Sequence, residues 1–414
     1  MTRSRGPRTA TTLLERAVID AFAGDGRLSR VELARRTGLS RTVITALVAG
    51  LLDRGVLATA PPGPRPGGGP GRRPATYRLN RAAASAALVH AHRTHTSVTL
   101  MSPDGPRAER CAGVPWTRPW EEWSGAVRAA LGTAEAEAGH TPRQVVLAVP
   151  FPVRTTTGDR GGPATIPEQD GARGAGVAGA LERWWRGDPR GRLADLLGRP
   201  VQLHNDANLA ALGEARYGAA RDAAAAIHIS VRHGLGAGIV IGGRLFTGAL
   251  GTAGELAHVQ VVEDGPYCLC GNRGCLATQT LGPEIDAGLA VLYRRPLTPS
   301  AVDALLSDGD PTTVRFLGDL GRLVARPVAG IVTMFNPDII VIDATLGPGH
   351  RPFAEALTAE LARHCPPAHI RDLRVVPGTL SNAHAHGALA CAASPPSTVL
   401  SPAPPTSRSG GSPP

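Results

Sequence analysis

The chain has 414 residues, of which 42% are apolar, and a formal net charge of +10. This length allows two or three domains with hydrophobic cores of their own, and the apolar fraction excludes a chain that is disordered as a whole. Six cysteines are too few for a secreted disulfide scaffold, which favours thiols or metal ligands in a reducing compartment.

The positive charge is confined to one part of the chain. Residues 1–81 contain fifteen Arg and five acidic residues, so this segment carries the whole excess of +10. Coding from a GC-rich genome explains why Arg stands in place of Lys, but it does not explain the segregation. A basic segment before a neutral body predicts a polyanionic partner for that segment. Without an apolar run of about 18 residues or a signal-peptide pattern, we expect a cytoplasmic protein with no membrane contact.

The N-terminal segment is predicted to contain three helices. The first lies within residues 11–26, where apolar residues recur at helical spacing. Ser29 and Glu32 form a capping-box pattern at the start of the second helix, which ends at Gly38. Ser40 is the predicted N-cap of the third helix. Two short helices joined by a tight turn with a glycine are typical of a helix-turn-helix.

The third helix would present three polar side chains at its N-terminal end, outside its apolar stripe. These predicted DNA contacts are Arg41, Thr42 and Thr45. In a helix-turn-helix, side chains in this place reach base edges and phosphates. The alternative is a plain helical hairpin with a solvated Arg face.

A β-hairpin with a long tip is predicted directly after the third helix. Residues 55–80 begin apolar, continue through a Gly/Pro-rich stretch and end strand-like, as in a wing. Such a wing favours the helix-turn-helix over the plain hairpin. At its tip, Arg65, Arg72 and Arg73 are predicted to contact phosphates or a narrow minor groove.

The remainder of the chain has a different pattern. From about residue 84, short apolar runs alternate with helical stretches, which predicts an α/β body. The Pro/Ser/Gly-rich residues 394–414 have no periodicity and are predicted to be disordered.

Three thiols lie within the eight residues CLCGNRGC: Cys268, Cys270 and Cys275. His258, ten residues upstream, would complete a His/Cys₃ set, and Gly271 and Gly274 would allow a tight loop. Four soft protein ligands predict a structural zinc site. A redox pair, which CxC spacing disfavours, and thiols without a role are the alternatives. The remaining cysteines are predicted to be small core residues; they are Cys111, Cys365 and Cys391.

Four segments of the body carry a family likeness: HNDANLAALGEARYG, GLGAGIVIGGRLFTGALGTAGELAHV, CLCGNRGC and FNPDIIVIDA. Behind a winged helix-turn-helix, they resemble the ROK family of repressors and sugar kinases. The resemblance implies a two-lobed, actin-like or ribonuclease H-like α/β fold, a homodimer or homotetramer, and sugar bound in the cleft between the lobes. The predicted domains are the winged helix-turn-helix (1–81), a first lobe (82–205), a second lobe with the zinc loop and a returning C-terminal helix (206–393), and the tail (394–414).

The resemblance breaks at the nucleotide site. In family kinases a D-x-G-G-T-K loop approaches the nucleotide phosphates, and it aligns here with HAHRTH, residues 90–95. His90 stands in place of the Asp, and His92 and Arg93 stand in place of the glycines. Two glycines of the adenine site are likewise replaced, at residues 343–344. Because bulky side chains block the approach of backbone N–H groups to phosphates, we expect no kinase activity.

The resemblance also implies four sugar contacts: Asn205, Asp206, Glu255 and His258. Asp206 corresponds to the kinase general base, vestigial here, and His258 would contact sugar through one ring nitrogen and zinc through the other. Helix capping is the alternative role of Asn205 and Asp206. Ala277, in place of a family Glu, and Phe151, in place of a glycine, weaken the sugar site.

These features predict a DNA-binding transcriptional regulator that represses carbohydrate-related genes and responds to a sugar or sugar derivative. Its partners would be a double-stranded DNA operator and that sugar. Two other functions stay open. One is a sugar kinase with an accessory DNA-binding domain, and the other is a DNA-binding protein whose sugar site no longer binds a ligand.

Overall fold

The computed structural model describes most of the chain, in these ranges: 14–15, 17–19, 21–22, 27–53, 55–60, 75–80, 85–103, 105–153, 179–180, 184, 187–232, 234–279, 285–393 and 399–400. The chain divides into two units, each built from segments that are distant in sequence. The first comprises Met1–Pro150, Pro189–Ala224 and Gly378–Pro395, and the second comprises Phe151–Asp188, Ala225–Pro377 and Pro396–Pro414. The domain boundaries given above differ from this division and remain predictions.

The strands of the described residues are β1 (Leu28–Ser29), β2 (Leu57–Ala60), β3 (Thr76–Leu79), β4 (Ala86–Ala91), β5 (Thr96–Ser102), β6 (Gly105–Cys111), β7 (Gln144–Val149), β8 (Val201–Asn205), β9 (Ala225–Ser230), β10 (Gly236–Ile241), β11 (Arg244–Phe246), β12 (Ile339–Ile342), β13 (Arg374–Pro377) and β14 (Val399–Leu400). The helices are α1 (Arg30–Thr37), α2 (Arg41–Asp53), α3 (Trp120–Ala138), α4 (Pro189–Leu197), α5 (Asp206–Tyr217), α6 (Leu276–Gln279), α7 (Ile285–Tyr293), α8 (Pro299–Ser307), α9 (Pro311–Phe335), α10 (His350–His364), α11 (Pro367–Ile370) and α12 (Ala383–Ala393). Two 3₁₀ segments are Leu256–His258 and Ala344–Gly349.

The helix ends in the N-terminal segment follow the predicted capping residues. The Ser29 N–H donates to the Glu32 carboxylate at 2.7 Å, and the Glu32 N–H donates to the Ser29 hydroxyl at 3.3 Å. The capping box is therefore confirmed. Gly38 ends α1 in the left-handed conformation, with φ of 70°. The Ser40 hydroxyl accepts the Val43 N–H at 3.3 Å, which confirms the predicted cap of α2.

A small antiparallel sheet of order β1-β3-β2 packs with these helices. The hairpin of β2 and β3 is the predicted wing, and it excludes the plain helical hairpin. Buried apolar residues of the helices and the sheet form one core, which includes Val18, Leu33, Ile44, Val48, Leu57 and Tyr77. The wing tip lies outside the described residues, and with it the predicted contacts Arg65, Arg72 and Arg73.

The first unit contains a five-stranded sheet of order β6-β5-β4-β7-β8. β6, β5 and β4 are antiparallel to one another, whereas β4, β7 and β8 are parallel. Every residue of β4 is buried, as expected of a central strand covered on both faces. α3 packs against β5 and β6, and α12 packs against β4, β5 and β7.

α5 and α12 approach each other so closely that glycines are required at their contact. A Cβ on Gly213 of α5 would lie 2.1 Å from the Ala383 carbonyl oxygen, and a Cβ on Gly387 of α12 would lie 2.0 Å from the Leu209 carbonyl oxygen. Real Cβ atoms do not approach backbone oxygens so closely. These two glycines therefore allow α5 to pack directly against α12, the helix that covers β4.

The second unit repeats the connectivity of the first. Its sheet has the order β13-β12-β9-β10-β11-β14, in which β9, β10 and β11 are antiparallel and β9, β12 and β13 are parallel. If the strands are numbered within each unit and β14 is set aside, both sheets have the order 3-2-1-4-5. Two copies of this ribonuclease H-like topology behind a winged helix-turn-helix confirm the predicted fold class. β14, which pairs with the edge strand β11, lies within the tail predicted to be disordered.

The three cysteines outside the thiol loop differ in burial. Cys365 and Cys391 are buried, as predicted, but Cys111 is exposed and that prediction was wrong. Cys111 is the last residue of β6, an edge strand whose burial alternates, so its side chain points to solvent.

Within the described part of the chain, every helix is too short or too polar to cross a lipid bilayer.

Candidate functional site

The first turn of α2 presents an exposed polar surface. Arg41, Thr42 and Thr45 are exposed, whereas Ile44 and Leu47 face the core. No acidic residue lies in this turn. An arginine there opposes the helix dipole, which is unfavourable by about 0.3–1 kcal/mol unless an anion lies nearby. The surface therefore suits contact with the phosphates of a nucleic acid.

The start of α5 carries the predicted sugar contacts of the first unit. Asn205 is the N-cap of α5, and its side-chain oxygen accepts the Asn208 N–H at 3.1 Å. Asp206 Oδ1 accepts the Ala207 N–H at 2.7 Å, and Oδ2 lies 3.6 Å from His90 Nε2. Asn205 therefore caps α5, which is the alternative role that the sequence left open for it. The sugar contacts of Asn205 and Asp206 remain predictions.

The histidine next to this carboxylate, His90, belongs to a cluster of histidine rings. The ring centroid of His90, which is buried on β4, lies 3.7 Å from that of His92 and 4.4 Å from that of His384. His92 in turn stacks on His95 at 4.3 Å. His384 joins the cluster because α12 packs against β4, and no local pattern in the sequence marks this residue.

The remaining predicted sugar contacts belong to the second unit. Glu255 is half-buried and directly precedes the 3₁₀ segment Leu256–His258. Nδ1 of His258 lies 3.5 Å from the Cys268 sulfur, so this ring nitrogen faces the thiols. Burial lowers the pKa of His258, which favours the neutral imidazole that a metal ion requires.

Four side chains of this unit form a cluster that could hold a metal ion: His258, Cys268, Cys270 and Cys275. Their ligand atoms all lie within 4.8 Å of one another. The Cys270 and Cys275 sulfurs are 3.6 Å apart, too far for a disulfide bond. Metal–sulfur bonds of about 2.3 Å and a metal–nitrogen bond of about 2.0 Å at tetrahedral angles would place sulfurs about 3.8 Å apart and nitrogen about 3.5 Å from sulfur. The observed spacings are close to both values.

The loop around the thiols needs its two glycines, as predicted. Gly271 and Gly274 have positive φ values of 94° and 62°. A Cβ on Gly274 would lie only 1.6 Å from the Val262 carbonyl oxygen. Backbone hydrogen bonds from Cys268 to Asn272 at 2.8 Å and from Gly274 to Pro266 at 2.8 Å close the loop. The backbone therefore holds the thiols in place.

The surroundings of these thiols disfavour the charged thiolate form. Burial, followed by the neighbouring thiols of Cys270 and Cys268, raises the pKa of Cys275 to about 12. Burial also raises the pKa of Cys268. A divalent cation would supply the positive charge that three thiolates need.

Comparison with known sequences identifies the family. Residues 12–57 match the sequence profile of a winged helix-turn-helix DNA-binding domain. Residues 181–394, just over half of the chain, match that of the ROK family. The chain belongs to the ROK family.

Relatives of this ROK protein include enzymes and regulators. A glucokinase of Thermotoga maritima is 34% identical over 164 residues, which cover 36% of this chain and 52% of the relative. The DNA-binding transcriptional dual regulator NagC of Escherichia coli is 30% identical over 195 residues, which cover 45% of this chain and 48% of NagC. The chain thus matches about half the length of these curated relatives.

A solved ROK family transcriptional regulator, described as a homolog of the E. coli MLC protein, has the same fold. It superposes with a TM-score of 0.64 at 20% identity, and the match covers 93% of this chain and 97% of that structure. Because the coverage is nearly complete, the likeness in fold includes the winged helix-turn-helix as well as the body.

Proposed function

We propose that the chain is a transcriptional repressor of carbohydrate-related genes, which binds operator DNA and responds to a sugar. The observation that carries this proposal is the joining of a winged helix-turn-helix to a ROK body in one chain. The exposed first turn of α2 supports it, because an arginine at a helix N-terminus attracts phosphates. The similarity to NagC is consistent with the same class of protein.

We further propose that the ROK body does not transfer phosphate. Family kinases bring backbone N–H groups close to the nucleotide phosphates, whereas His90, His92 and Arg93 place large side chains in that loop. The imidazole of His90 also lies 3.6 Å from Asp206, which corresponds to the kinase base. A base paired with a buried imidazole is a poor acceptor for the proton of a sugar hydroxyl.

Zinc is the metal proposed for the cluster, in a structural role. One imidazole and three thiolates are ligands that zinc prefers, and the spacings in the cluster are close to those of a tetrahedral site. Four protein ligands leave no open position for chemistry. His258, through Nδ1, and the thiols of Cys268, Cys270 and Cys275 would hold the ion.

The proposed effector is a sugar or sugar derivative. The polar side chains proposed to contact it are Asn205, Asp206, Glu255 and His258. A homodimer or homotetramer would present two winged helix-turn-helix segments to the two half-sites of an operator. Sugar binding would lower DNA affinity only if the sugar binds the two states of the protein unequally.

Capture of genomic DNA by the purified full chain tests the repressor proposal. We expect a small set of fragments with an inverted repeat to be enriched. One sugar from a panel of hexoses, pentoses and their N-acetylated forms should lower the capture about tenfold, a coupling of about 1.4 kcal/mol. Sequencing of the bound fragments with and without each sugar measures both effects. A capture without sequence preference would refute the repressor.

A sugar kinase is the second candidate, and the similarity to the Thermotoga maritima glucokinase favours it. We expect the full chain to release no ADP above background from ATP and magnesium with any sugar of the same panel. A coupled ADP assay, run beside an authentic glucokinase, measures this. Sugar-dependent turnover of about 1 s⁻¹ or faster, the low end of ordinary enzyme rates, would show that the chain is a sugar kinase.

A further inference from the structure

A small cavity lies within the first unit, apart from the residues proposed above to bind DNA, sugar or metal. It has a volume of about 180 Å³, and its lining comes from the C-terminal end of α5, the end of β5 with Pro103, Gly105 of β6, and α12. Its polar lining consists mainly of Arg216, Tyr217, Arg221 and His386, and Leu380 and Leu389 contribute apolar surface. Several water molecules would fit, since each occupies about 30 Å³ in the liquid.

Arg216 is the unusual residue of this lining. Its Nε is inaccessible to solvent and has no hydrogen-bond partner. Within the described part of the chain, its guanidinium forms no hydrogen bond or ion pair. The nearby Glu214 carboxylate instead accepts the backbone N–H groups of Ala219 at 2.7 Å and Leu380 at 3.1 Å. A largely buried cation without a partner is unfavourable, and a bound anion would remove that penalty.

The electrostatics around Arg216 lead to the same conclusion. Burial lowers the pKa of Arg216, and the nearby Tyr217, Cys391 and Glu15 offset only part of that effect. The positive charge is therefore incompletely balanced by the described residues around it.

The lining includes further donors, the guanidinium of Arg221 and the phenol of Tyr217. The Arg221 side chain is exposed and provides a second guanidinium at the cavity. Nδ1 of His386 donates to the Asn382 carbonyl oxygen at 2.8 Å, so Nε2 of the neutral ring is an acceptor and His386 is not counted among the donors. The ring of His386 lies 5.7 Å from that of Tyr217, so the imidazole and the phenol meet at the same wall.

We propose that this cavity binds a phosphate group, either inorganic phosphate or the phosphate of a small metabolite, between Arg216 and Arg221. A phosphate suits two guanidinium groups better than a carboxylate does, because it offers more acceptor oxygens and up to two negative charges. Leu380 and Leu389 would contact the organic part of a phosphate ester. The proposal does not depend on the function proposed above, because these residues lie outside the DNA, sugar and metal sites.

Titration calorimetry and thermal unfolding of the full chain test this proposal. Inorganic phosphate and glycerol phosphate are the probes, and malonate is the carboxylate comparison, all at constant ionic strength in buffer free of phosphate and sulfate. We expect both phosphates to bind and to raise the apparent Tm, because a ligand that binds only the native state stabilises it. Binding of inorganic phosphate alone would assign the free ion, whereas tighter binding of glycerol phosphate would assign an ester.

Three variants locate the binding. Arg216→Met keeps the apolar stem but removes the buried charge, so without phosphate its Tm should equal or exceed that of the unsubstituted chain, and phosphate should no longer raise it. Arg221→Gln, at an exposed position, should weaken phosphate binding at least about tenfold. Arg128→Gln removes an exposed arginine of α3 in the same unit and should change neither property. The proposal fails if phosphate does not bind, if Arg216→Met still binds it, or if malonate binds equally well.

Discussion

Replacement of Cys270 by serine is expected to abolish metal retention and to destabilise the second unit by about 4 kcal/mol or more, as is typical of a lost metal site. The Cys270 sulfur lies 3.6 Å from that of Cys275, and both face His258 and Cys268 in one cluster. A serine hydroxyl is a weak ligand for a soft-ligand site, and the two thiols left behind would revert to the neutral form. Metal analysis of the purified chain and urea unfolding measure the two effects.

Cys111→Ser is the matched control for this experiment. It makes the same substitution at an exposed thiol of β6, in the other unit, and should leave metal content and stability unchanged. Retention by the unsubstituted chain should also fall as the pH is lowered, because protons compete for thiols whose pKa values burial has raised. About one zinc per chain is expected at about pH 7.5. An unsubstituted chain without metal, or a Cys270→Ser chain with an unchanged amount, would contradict the zinc assignment.

Features encoded by neighbouring residues could be predicted from the sequence. The capping box of Ser29 and Glu32 is complete within four residues, and the structure confirms both of its hydrogen bonds. The thiol loop is equally local, because Gly271 and Gly274 set its turns and His258 is only ten residues away. In such cases spacing along the chain determines spacing in the fold.

Contacts between distant parts of the chain could not be predicted. The pairing of α5 with α12 depends on Gly213 and Gly387, and neither glycine lies in a pattern that reveals the other. His384 contacts His90 only through this pairing. The cavity at Arg216 arises in the same way, since α5 and α12 supply opposite parts of its lining. A sequence pattern reports which face of a helix is buried, but not which helix covers it.

The edge strand β6 illustrates a related limit. Cysteine is usually buried, which predicts a core position for Cys111, but its place at the end of an edge strand exposes it. The prediction depends on residue type, whereas the outcome depends on strand order. Strand order is itself a product of long-range pairing between β4, β5 and β6.

Replacement of Arg41 by alanine is expected to weaken binding to the captured DNA site by about 1–3 kcal/mol, roughly 5- to 150-fold. Arg41 is exposed in the first turn of α2, and its guanidinium makes no hydrogen bond or ion pair within the described residues. Because a cation at this end opposes the helix dipole, its removal should leave the chain as stable or slightly more so. Fluorescence anisotropy over a series of salt concentrations measures affinity, and thermal unfolding measures stability.

The salt series shows what Arg41 contacts. Loss of a phosphate contact would weaken all DNA sequences alike and reduce the slope of log affinity against log salt by about one, whereas loss of a base contact would weaken the captured site selectively. Arg128→Ala removes the same charge from α3 and should change neither affinity nor slope. Thr45→Ala should have a smaller effect than Arg41→Ala, because the Thr45 hydroxyl already donates to the Arg41 carbonyl oxygen at 2.8 Å. If Arg41→Ala and Arg128→Ala bind equally, α2 does not contact DNA through this surface, and the basic charge of residues 1–81 acts elsewhere.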